Sequence, residues 1–329
     1  MTAIWPIAAL MAVAAACATW FATRQVLGYL ERRGIFDRPN ERSSHNAPVP
    51  RGGGLAVIGV LVPAFVLAGV LLGAPETWYV AAALAGLAGI SWIDDIKGLP
   101  AGTRLIAQAA AVALGLLALP GPIAQGLLAP WLDTALAALA WLWFVNLFNF
   151  MDGIDGIAGA EATALTIGIV LVAALPRGPD DLVLYAAAVG GTALGFLPWN
   201  WHRAKIFLGD VGSVPLGFAL GWLLLSLAAS GAWIAALVLP LYYLADSTLT
   251  LARRAARGEP VWRAHREHFY QRAVRGGLSH DRVVHAIGAG NLALVGLAVA
   301  GEASLGWSVL PMAVGVVAVV LWRLSLGRP

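Results

Sequence analysis

The chain has 329 residues, of which 60% are hydrophobic and only 12% are charged. Soluble globular domains are about half apolar and roughly a quarter charged, so this composition excludes an ordinary water-soluble fold. The net charge of +3 is small and no long basic block interrupts the chain, which argues against nucleic acid as a partner. A single cysteine, Cys17, excludes a disulfide framework and a thiolate zinc cluster.

Apolar runs of about 16 to 22 residues recur along the chain, close to the roughly 20 residues that a helix needs to cross a bilayer. We therefore predict an all-α fold: a polytopic integral membrane protein with about ten or eleven transmembrane helices in a single domain, 1–329. The first run lacks the basic segment of a signal peptide, so we interpret it as a retained span. In chain order the predicted spans cover residues 4–23, 54–73, 78–93, 105–120, 134–150, 157–175, 182–197, 214–230, 233–249, 283–299 and 305–321.

The basic residues indicate an orientation. If the chain alternates sides at each span, every Lys and Arg except Arg177 falls on one side of the membrane. By the positive-inside rule that side is the cytoplasm, and we expect a cleft that faces it. The basic side carries the loops 24–51, 94–104, 199–210 and 251–282, together with the C-terminus.

Carboxylates gather on this same side, at the ends of the predicted spans. A charged side chain at the centre of a spanning helix costs about 2.5–3.5 kcal/mol on insertion scales, so these positions require pairing or a function. The six residues are Asp94, Asp95, Asp152, Asp155, Asp210 and Asp246.

The first polar motif is the pair Asp94-Asp95 in SWIDDIKGLP. Adjacent carboxylates repel, so both ionise more easily when a divalent cation or a basic group lies between them. Lys97 and Arg104 are the nearby basic candidates. The alternative is a polar helix end that lies among the lipid headgroups.

The second motif, NLFNFMDGIDGIAG, places Asn146, Asn149, Asp152 and Asp155 three residues apart. Each step of three turns a helix by about 300°, so neighbouring members can share a face and the outer ones diverge. The glycine after each aspartate lets the backbone leave helical geometry and approach a ligand. Two amides and two carboxylates suit a metal, a ribose or a sugar, whereas a plain Asp-Gly turn is the alternative.

The third motif, WNWHRAKIFLGDVGS, places Asp210 between glycines directly before a new helix. A carboxylate there can hold Mg²⁺, while the free backbone N–H groups and the helix dipole favour phosphate oxygens. Asn200 and Phe207 could hydrogen-bond to and stack on a base. For Phe207 a lipid-facing or core position is the alternative.

The fourth motif is the basic loop 251–282, in which His265 and His268 are three residues apart. On a helix the two imidazoles lie near each other and could bind a metal or donate to phosphate. Zinc is the weaker choice, because no cysteine or further close ligand completes the usual set. A helix lying on anionic lipid is the alternative. A further basic segment that could contact phosphate contains Arg42, Ser43, His45 and Arg51.

Jointly these motifs resemble those of a known family. The chain has the Arg-Gly-Gly-Gly start of the second span, the aspartate pair with a basic neighbour, Asn-x-x-Asn-x-x-Asp-Gly-x-Asp-Gly, Phe-x-Gly-Asp-x-Gly-Ser and a histidine-bearing last loop. In order, spacing and side, the whole chain resembles the polyprenyl-phosphate N-acetylhexosamine-1-phosphate transferases of glycosyltransferase family 4. The peptidoglycan translocase and the enzymes that initiate O-antigen and teichoic acid belong to this family.

The resemblance implies a role for each matching residue. It implies Mg²⁺, with Mn²⁺ as an alternative, held mainly by Asp210 with Asp94, and diphosphate contacts from the last loop. The implied catalytic residues are Asp94, Asp95, Asp152, His265 and His268. The implied substrate-binding residues are Asn146, Asn149, Asp155, Asn200, Phe207, Lys97, Arg104, Arg51 and Arg266.

Two departures from the family pattern bear on these expectations. Lys97 is one residue nearer the aspartate pair than the lysine of the translocase, and Arg104 stands where that enzyme has a second lysine. The last loop reads HREHFYQRA, which is similar to the branch that starts O-antigen chains with 6-deoxy sugars such as N-acetylfucosamine or N-acetylquinovosamine.

The expected reaction is transfer of an N-acetylhexosamine-1-phosphate from a UDP-sugar to undecaprenyl phosphate with release of UMP, in the bacterial inner membrane. The expected partners are these two substrates and the lipid bilayer, with a homodimer as a further option. A UDP-GlcNAc-specific enzyme of the same family is the first alternative. A CDP-alcohol phosphotransferase would have a compact aspartate run that this chain lacks, and a transporter would place its polar groups at mid-membrane in matched halves.

Overall fold

The computed structural model describes residues 4–39, 47–176, 178–260 and 265–327. The predicted phosphate contacts of Arg42, Ser43 and His45, and the side of the membrane on which Arg177 falls, lie outside these ranges. Within them the chain forms thirteen α-helices and one antiparallel pair of two-residue strands, β1 (Phe36–Asp37) and β2 (Val49–Pro50). The helices are α1 (Ile4–Arg33), α2 (Gly54–Leu72), α3 (Thr77–Lys97), α4 (Ala101–Gly115), α5 (Pro130–Phe150), α6 (Ile157–Ala173), α7 (Leu182–Asn200), α8 (Asp210–Ala229), α9 (Trp233–Val238), α10 (Leu241–Ala256), α11 (Phe269–Arg275), α12 (His280–Ala300) and α13 (Val309–Leu326).

The prediction of an all-α, polytopic membrane protein is confirmed. Eight helical stretches in the described ranges are long and apolar enough to cross a bilayer, and α6 is a shorter apolar helix. The last stretch combines α12 and α13, which fold back on each other: a Cβ at Gly290 would lie 2.7 Å from Val320 Cγ2. All eleven predicted apolar segments therefore lie on helices. The ninth is split into α9 and α10 at Pro240, whose ring nitrogen has no hydrogen to continue the helical bonding.

Helices α7 and α8 form the centre of the bundle. Of their apolar windows 78% and 89% is buried inside the protein, against 22% for α1, whose outer face is left for lipid. Small residues allow this close packing: a Cβ at Gly191 would lie 2.4 Å from the carbonyl oxygen of Ala12 on α1. Close approach of backbones at small residues is the usual way in which membrane helices associate.

A backbone seam joins the start of α2 to the start of α8. The N–H groups of Gly52 and Gly53 both donate to the carbonyl oxygen of Phe207, at 3.1 and 2.8 Å, and the Phe207 N–H donates to the carbonyl oxygen of Pro50 at 2.8 Å. A Cβ at Gly54 would lie 2.2 Å from the Cα of Gly212. Only glycine permits this approach, and the seam brings the residues before α2 to the first turn of α8.

Candidate active site

Three segments that are distant in sequence meet at one end of the bundle. The last turn of α3 supplies Asp95, the first residue of α8 is Asp210, and Arg51 comes from the segment before α2. Arg51 Nη2 lies 2.7 Å from Asp95 Oδ1 and 2.8 Å from Asp210 Oδ1. One guanidinium therefore bridges two carboxylates that would otherwise repel each other.

A second arginine closes the other side of the same cluster. Arg104, in the first turns of α4, places Nη1 3.3 Å from Asp94 Oδ2 and 3.8 Å from Asp210 Oδ2. Asp94 also accepts a hydrogen bond from the backbone N–H of Leu99. The two arginines partly balance the three carboxylates, and the cluster keeps an excess of negative charge.

A cleft of about 180 Å³ opens beside this cluster, between α3, α4, α5 and α8. Its polar lining includes Asp94, Arg104, Asn149 and Asp210, and leucine, isoleucine and valine side chains line much of the rest. A cavity with charged side chains at one end and mostly uncharged side chains along the rest suits an amphipathic phosphate. The structure thus brings members of three predicted motifs to one cavity.

The two asparagines of α5 are held by neighbouring polar side chains. Asn146 Nδ2 donates to Gln108 Oε1 on α4 at 2.8 Å, and Ser213 Oγ donates to Asn149 Oδ1 at 2.6 Å. Gln108, which also lines the cleft, was missed by the sequence analysis. The signal for Gln108 in the sequence was that it is a lone amide side chain within a predicted apolar span.

Asp152 belongs to the turn after α5 and is not among the residues that line the cleft. Burial and the negative charges of Asp210 and Asp95 raise the pKa of Asp152 well above its ordinary value, although Arg51 opposes this. Its carboxyl group is therefore electrostatically part of the same cluster. Its predicted catalytic role stays a prediction.

The contacts of Asp155 are internal to the protein. Its Oδ2 lies 2.8 Å from His202 Nδ1 and 3.1 Å from His280 Nδ1, and accepts from the Ala204 N–H at 3.3 Å. Burial raises the pKa of Asp155, but the hydrogen bonds from His280 and then His202 outweigh it and lower the pKa below its ordinary value. Asp155 is thus an ionised carboxylate that joins three segments.

Asn200 and Phe207 also make contacts within the protein. Asn200 is buried, accepts from the Gly156 N–H at 2.9 Å and donates to the carbonyl oxygen of Ile206 at 3.0 Å. Phe207 is half-buried and its backbone belongs to the seam with residues 50–53. Nucleotide contacts by these two residues and Asp155 stay predictions.

The last loop is anchored by a carboxylate that the sequence analysis placed on this side without giving it a role. Asp246 on α10 is fully buried and accepts from the N–H groups of Phe269 and Tyr270, at 3.0 and 3.3 Å. It therefore caps the N-terminus of α11 from outside that helix. His268, the residue before α11, is buried with Nδ1 3.3 Å from Asp246 Oδ1.

Helix α11 also reaches the turn that carries Asp152. The Tyr270 hydroxyl donates to the carbonyl oxygen of Phe150 at 2.9 Å, and a Cβ at Gly153 would lie 2.2 Å from that hydroxyl oxygen. Any larger residue at 153 would displace the tyrosine. The fourth motif is therefore in direct contact with the second.

The remaining predicted residues lie at the edge of this assembly. His265 packs against His268 with ring centroids 4.9 Å apart, and burial, followed by the charges of His268 and Arg254, lowers the pKa of His265 to about 4. Its imidazole is therefore neutral at neutral pH. Lys97 is exposed on the last turn of α3, and Arg266 is half-buried in the last loop.

The donor set of the cluster fits a hard divalent cation. Asp94, Asp95 and Asp210 offer only oxygen atoms, which Mg²⁺ prefers, and the cationic nitrogen of Arg51 already lies between two of them. Asp95 is the least available of the three, since its oxygens accept the N–H groups of Asp210 and Val211 at 3.1 and 2.9 Å. Asp94 and Asp210 are the better candidate ligands.

Comparison with known proteins identifies a family for this chain. The Glycosyl transferase family 4 model matches residues 77–228. Decaprenyl-phosphate N-acetylglucosaminephosphotransferase of Mycobacterium tuberculosis (strain CDC 1551 / Oshkosh) is 34% identical over 314 residues, which cover 84% of this chain and 78% of that protein.

Two further relatives belong to the same group of enzymes. A probable undecaprenyl-phosphate N-acetylglucosaminyl 1-phosphate transferase of Bacillus subtilis (strain 168) is 29% identical over 268 residues, 77% of this chain and 74% of that protein. A phospho-N-acetylmuramoyl-pentapeptide-transferase of Synechococcus sp. (strain JA-3-3Ab) is 35% identical over 216 residues, 58% of this chain and 60% of that protein. The chain therefore belongs to glycosyltransferase family 4, the polyprenyl-phosphate N-acetylhexosamine-1-phosphate transferases.

Proposed function

We propose that the protein transfers an N-acetylhexosamine-1-phosphate from a UDP-sugar to undecaprenyl phosphate, at the cytoplasmic face of the bacterial inner membrane. The observation that carries the proposal is the cleft between α3, α4, α5 and α8, which has charged side chains at one end and a mixture of apolar and uncharged polar side chains along the rest. A lipid phosphate likewise has its charge at one end, on the phosphate group, and an uncharged hydrocarbon chain along the rest. Two relatives, named as transferases that act on decaprenyl phosphate and undecaprenyl phosphate, support the proposal.

The proposed reaction is a phosphoryl transfer. An oxygen of the lipid phosphate attacks the sugar-bearing phosphorus, the bond from that phosphorus to UMP breaks, and UMP leaves as the lipid diphosphate sugar forms. A phosphate monoester has its second pKa near 6, so the acceptor is mostly a dianion at neutral pH. Control of charge therefore matters more than a strong general base.

The residues of the cluster divide this work. Arg104, which lines the cleft, and Arg51, which bridges Asp95 and Asp210, would attract phosphate oxygens to this cluster. Asp210 and Asp94 would hold Mg²⁺, with Mn²⁺ as the alternative ion. The ion would supply neutralisation of the diphosphate charge. Asn149, which accepts a hydrogen bond from Ser213, would orient the UDP-sugar from the α5 side.

The last loop would contact the diphosphate from the other side. His268, Arg266 and His265 are the proposed contacts, and Asp246 positions them by holding α11. Because the His265 imidazole is neutral, it would act as a hydrogen-bond donor and not as a fixed positive charge. The arginines would then supply the positive charge of this loop.

The identity of the sugar rests on this loop. The sequence HREHFYQRA favours a 6-deoxy-N-acetylhexosamine and a role in starting O-antigen synthesis. N-acetylglucosamine is the second candidate, and the mycobacterial and Bacillus relatives, both named as N-acetylglucosamine transferases, favour it.

The test uses purified protein in detergent with undecaprenyl phosphate, Mg²⁺ or Mn²⁺, and a panel of UDP-sugars. UMP release and the mass of the lipid product are measured. We expect one UDP-N-acetylhexosamine to give stoichiometric UMP and lipid diphosphate sugar. No UMP from any sugar would contradict the proposed function, and preference for UDP-GlcNAc would contradict the 6-deoxy assignment.

Asp210→Asn tests the metal assignment. We expect it to lower turnover by about 10²- to 10³-fold and to weaken activation by Mg²⁺, because it removes a charged ligand from the reacting diphosphate. Asp181→Asn is the matched control, since Asp181 is exposed at the start of α7. Unchanged metal-dependent turnover in Asp210→Asn would refute the assignment.

A further inference from the structure

A second cluster of ligating side chains lies outside the cleft. Asp155 belongs to the turn between α5 and α6, His202 to the segment between α7 and α8, and His280 to the first turn of α12. Each offers a ligand atom, and these atoms all lie within 4.8 Å of one another. None of the three lines the cleft beside Asp94 and Asp210.

The spacing of the donors suits a small divalent ion. His202 Nδ1 and His280 Nδ1 lie 2.8 and 3.1 Å from the same carboxylate oxygen, Asp155 Oδ2. Zinc binds nitrogen and oxygen at about 2.0–2.2 Å, so the ligand atoms of a tetrahedral site are about 3.3–3.5 Å apart. The observed separations are slightly shorter, so small side-chain rotations would admit the ion.

The His280 ring is held against Asp155 by two contacts. The backbone nitrogen of Asp155 lies 3.2 Å from His280 Nδ1, and Asp155 Oδ2 lies 3.1 Å from the same ring nitrogen. The ring nitrogen is therefore already aimed at the carboxylate oxygen with which it would share an ion.

Donor chemistry and solvent access agree with this arrangement. One carboxylate and two imidazoles are the donor types that borderline metals such as zinc prefer, whereas Mg²⁺ prefers oxygen alone. The His202 side chain is 28% exposed, which leaves a route for the ion and room for a water ligand.

We propose that Asp155, His202 and His280 form a binding site for a divalent transition metal of the zinc class, separate from the Mg²⁺ cluster in the cleft. The ion would fasten the turn that carries Asp152 to the segment before α8 and to the start of α12. It would stabilise the wall of the active site without contacting the reacting phosphates. The inference does not depend on the transfer reaction.

The test measures metal binding directly. Protein carrying a histidine-free affinity tag is stripped with a chelator and titrated with Zn²⁺ in excess Mg²⁺, so that oxygen-only sites are filled. We expect one Zn²⁺ per chain, a rise in Tm on binding, and visible absorption bands when Co²⁺ replaces Zn²⁺. His202→Ala and His280→Ala should each weaken Zn²⁺ binding by at least about tenfold and abolish the Tm rise.

Two matched variants separate this site from others. His285→Ala removes another histidine of α12, one whose Nδ1 lies 2.7 Å from the carbonyl oxygen of Asp281, and should leave Zn²⁺ binding unchanged. Asp210→Asn should also leave it unchanged while it lowers turnover. If His280→Ala fails to fold, two other measurements decide whether this site binds the ion. They are Zn²⁺ binding by His202→Ala, which alters a partly exposed side chain, and the Co²⁺ spectrum of the parent protein.

Three outcomes would overturn the proposal. The first is an absence of stoichiometric Zn²⁺ binding in the parent protein. The second is full binding in His202→Ala or in His280→Ala, which would locate the ion elsewhere. The third is loss of Zn²⁺ in Asp210→Asn, which would place the ion in the cleft.

Discussion

Asp95 caps the helix that Asp210 begins. The two carboxylate oxygens of Asp95 accept the backbone N–H groups of Asp210 and Val211, at 3.1 and 2.9 Å. Its neighbour Asp94 lines the cleft instead. The two adjacent residues therefore have different structural roles, since Asp95 holds the first turn of α8 and Asp94 faces the cleft.

This division predicts different effects of two alanine substitutions. Asp95→Ala should lower the free energy of unfolding by about 1–2 kcal/mol, because it leaves helix N–H groups without their acceptor. Asp94→Ala should change stability less and abolish turnover. Thermal unfolding in detergent and UMP release measure the two properties. An unchanged unfolding temperature in Asp95→Ala would show that the cap contributes nothing.

The contact between Gly54 and Gly212 predicts a sharp difference within one helix. Gly54→Ala should destabilise the protein by about 3 kcal/mol or more, since the new Cβ would lie 2.2 Å from backbone atoms of α8. Gly59→Ala, on the same helix with nothing within 4 Å, should leave stability equal or raise it by about 0.5–1 kcal/mol. Unfolding temperatures of the two variants are compared. Equal temperatures would argue against the close seam.

Asp246 should control the last loop without reacting. Asp246→Asn places an amide where the carboxylate accepts the N–H groups of Phe269 and Tyr270, so α11 should loosen. We expect turnover to fall by about 10²-fold through misplacement of the loop, and proteolysis within residues 251–282 to accelerate. Thr250→Val removes one 3.3 Å hydrogen bond to the same carboxylate and should have a small effect. Normal turnover together with faster proteolysis would separate the loop from catalysis.

The neutral His265 predicts a pH effect on the same loop. Its pKa is about 4 in the folded protein against 6.5 ordinarily, so between these values the unfolded segment binds a proton that the folded one does not. The loop should therefore lose stability as the pH falls from 6.5 toward 4, and should be unaffected above 6.5. Solvent around the half-exposed ring reduces the effect.

Hydrogen exchange of residues 251–282 across this pH range provides the measurement. In the parent protein, hydrogen exchange of this loop should become faster as the pH falls below 6.5. His265→Gln should reduce this increase, and His285→Ala, which alters a histidine of α12, should not. If hydrogen exchange increased equally at low pH in His265→Gln and in the parent protein, His265 would not be the cause of the pH effect.

The fold could be predicted from the sequence because each span is a continuous apolar run. Periodicity and length do not depend on what the helix later contacts, so each of the eleven apolar segments lies mainly on helix, although eight stretches of the described chain are long and apolar enough to cross a bilayer. Motifs at span ends could be placed on one side by the distribution of Lys and Arg. The split between α9 and α10 was missed, although Pro240 was a visible signal for it.

Side-chain partners were less predictable, because they depend on segments far apart in the chain. Arg51 meets Asp210 across 159 positions, and Asn200 is used to hold the Gly156 N–H. An aspartate or asparagine near a ligand site has the same local sequence as one that holds a loop in place. Asp155 shows this, since its motif indicated a substrate contact and its carboxylate lies between two histidines.

The seam between residues 50–53 and Phe207 has a consequence for which parts of this enzyme can diverge in sequence. One wall of the cavity is fixed by main-chain bonds and touching glycines, and replacing side chains cannot move it. Helix α11, which is not part of the cavity lining, is held through the side chains of Asp246 and Tyr270. The sequence of the last loop can therefore diverge while the main-chain geometry at the start of α8 stays constant.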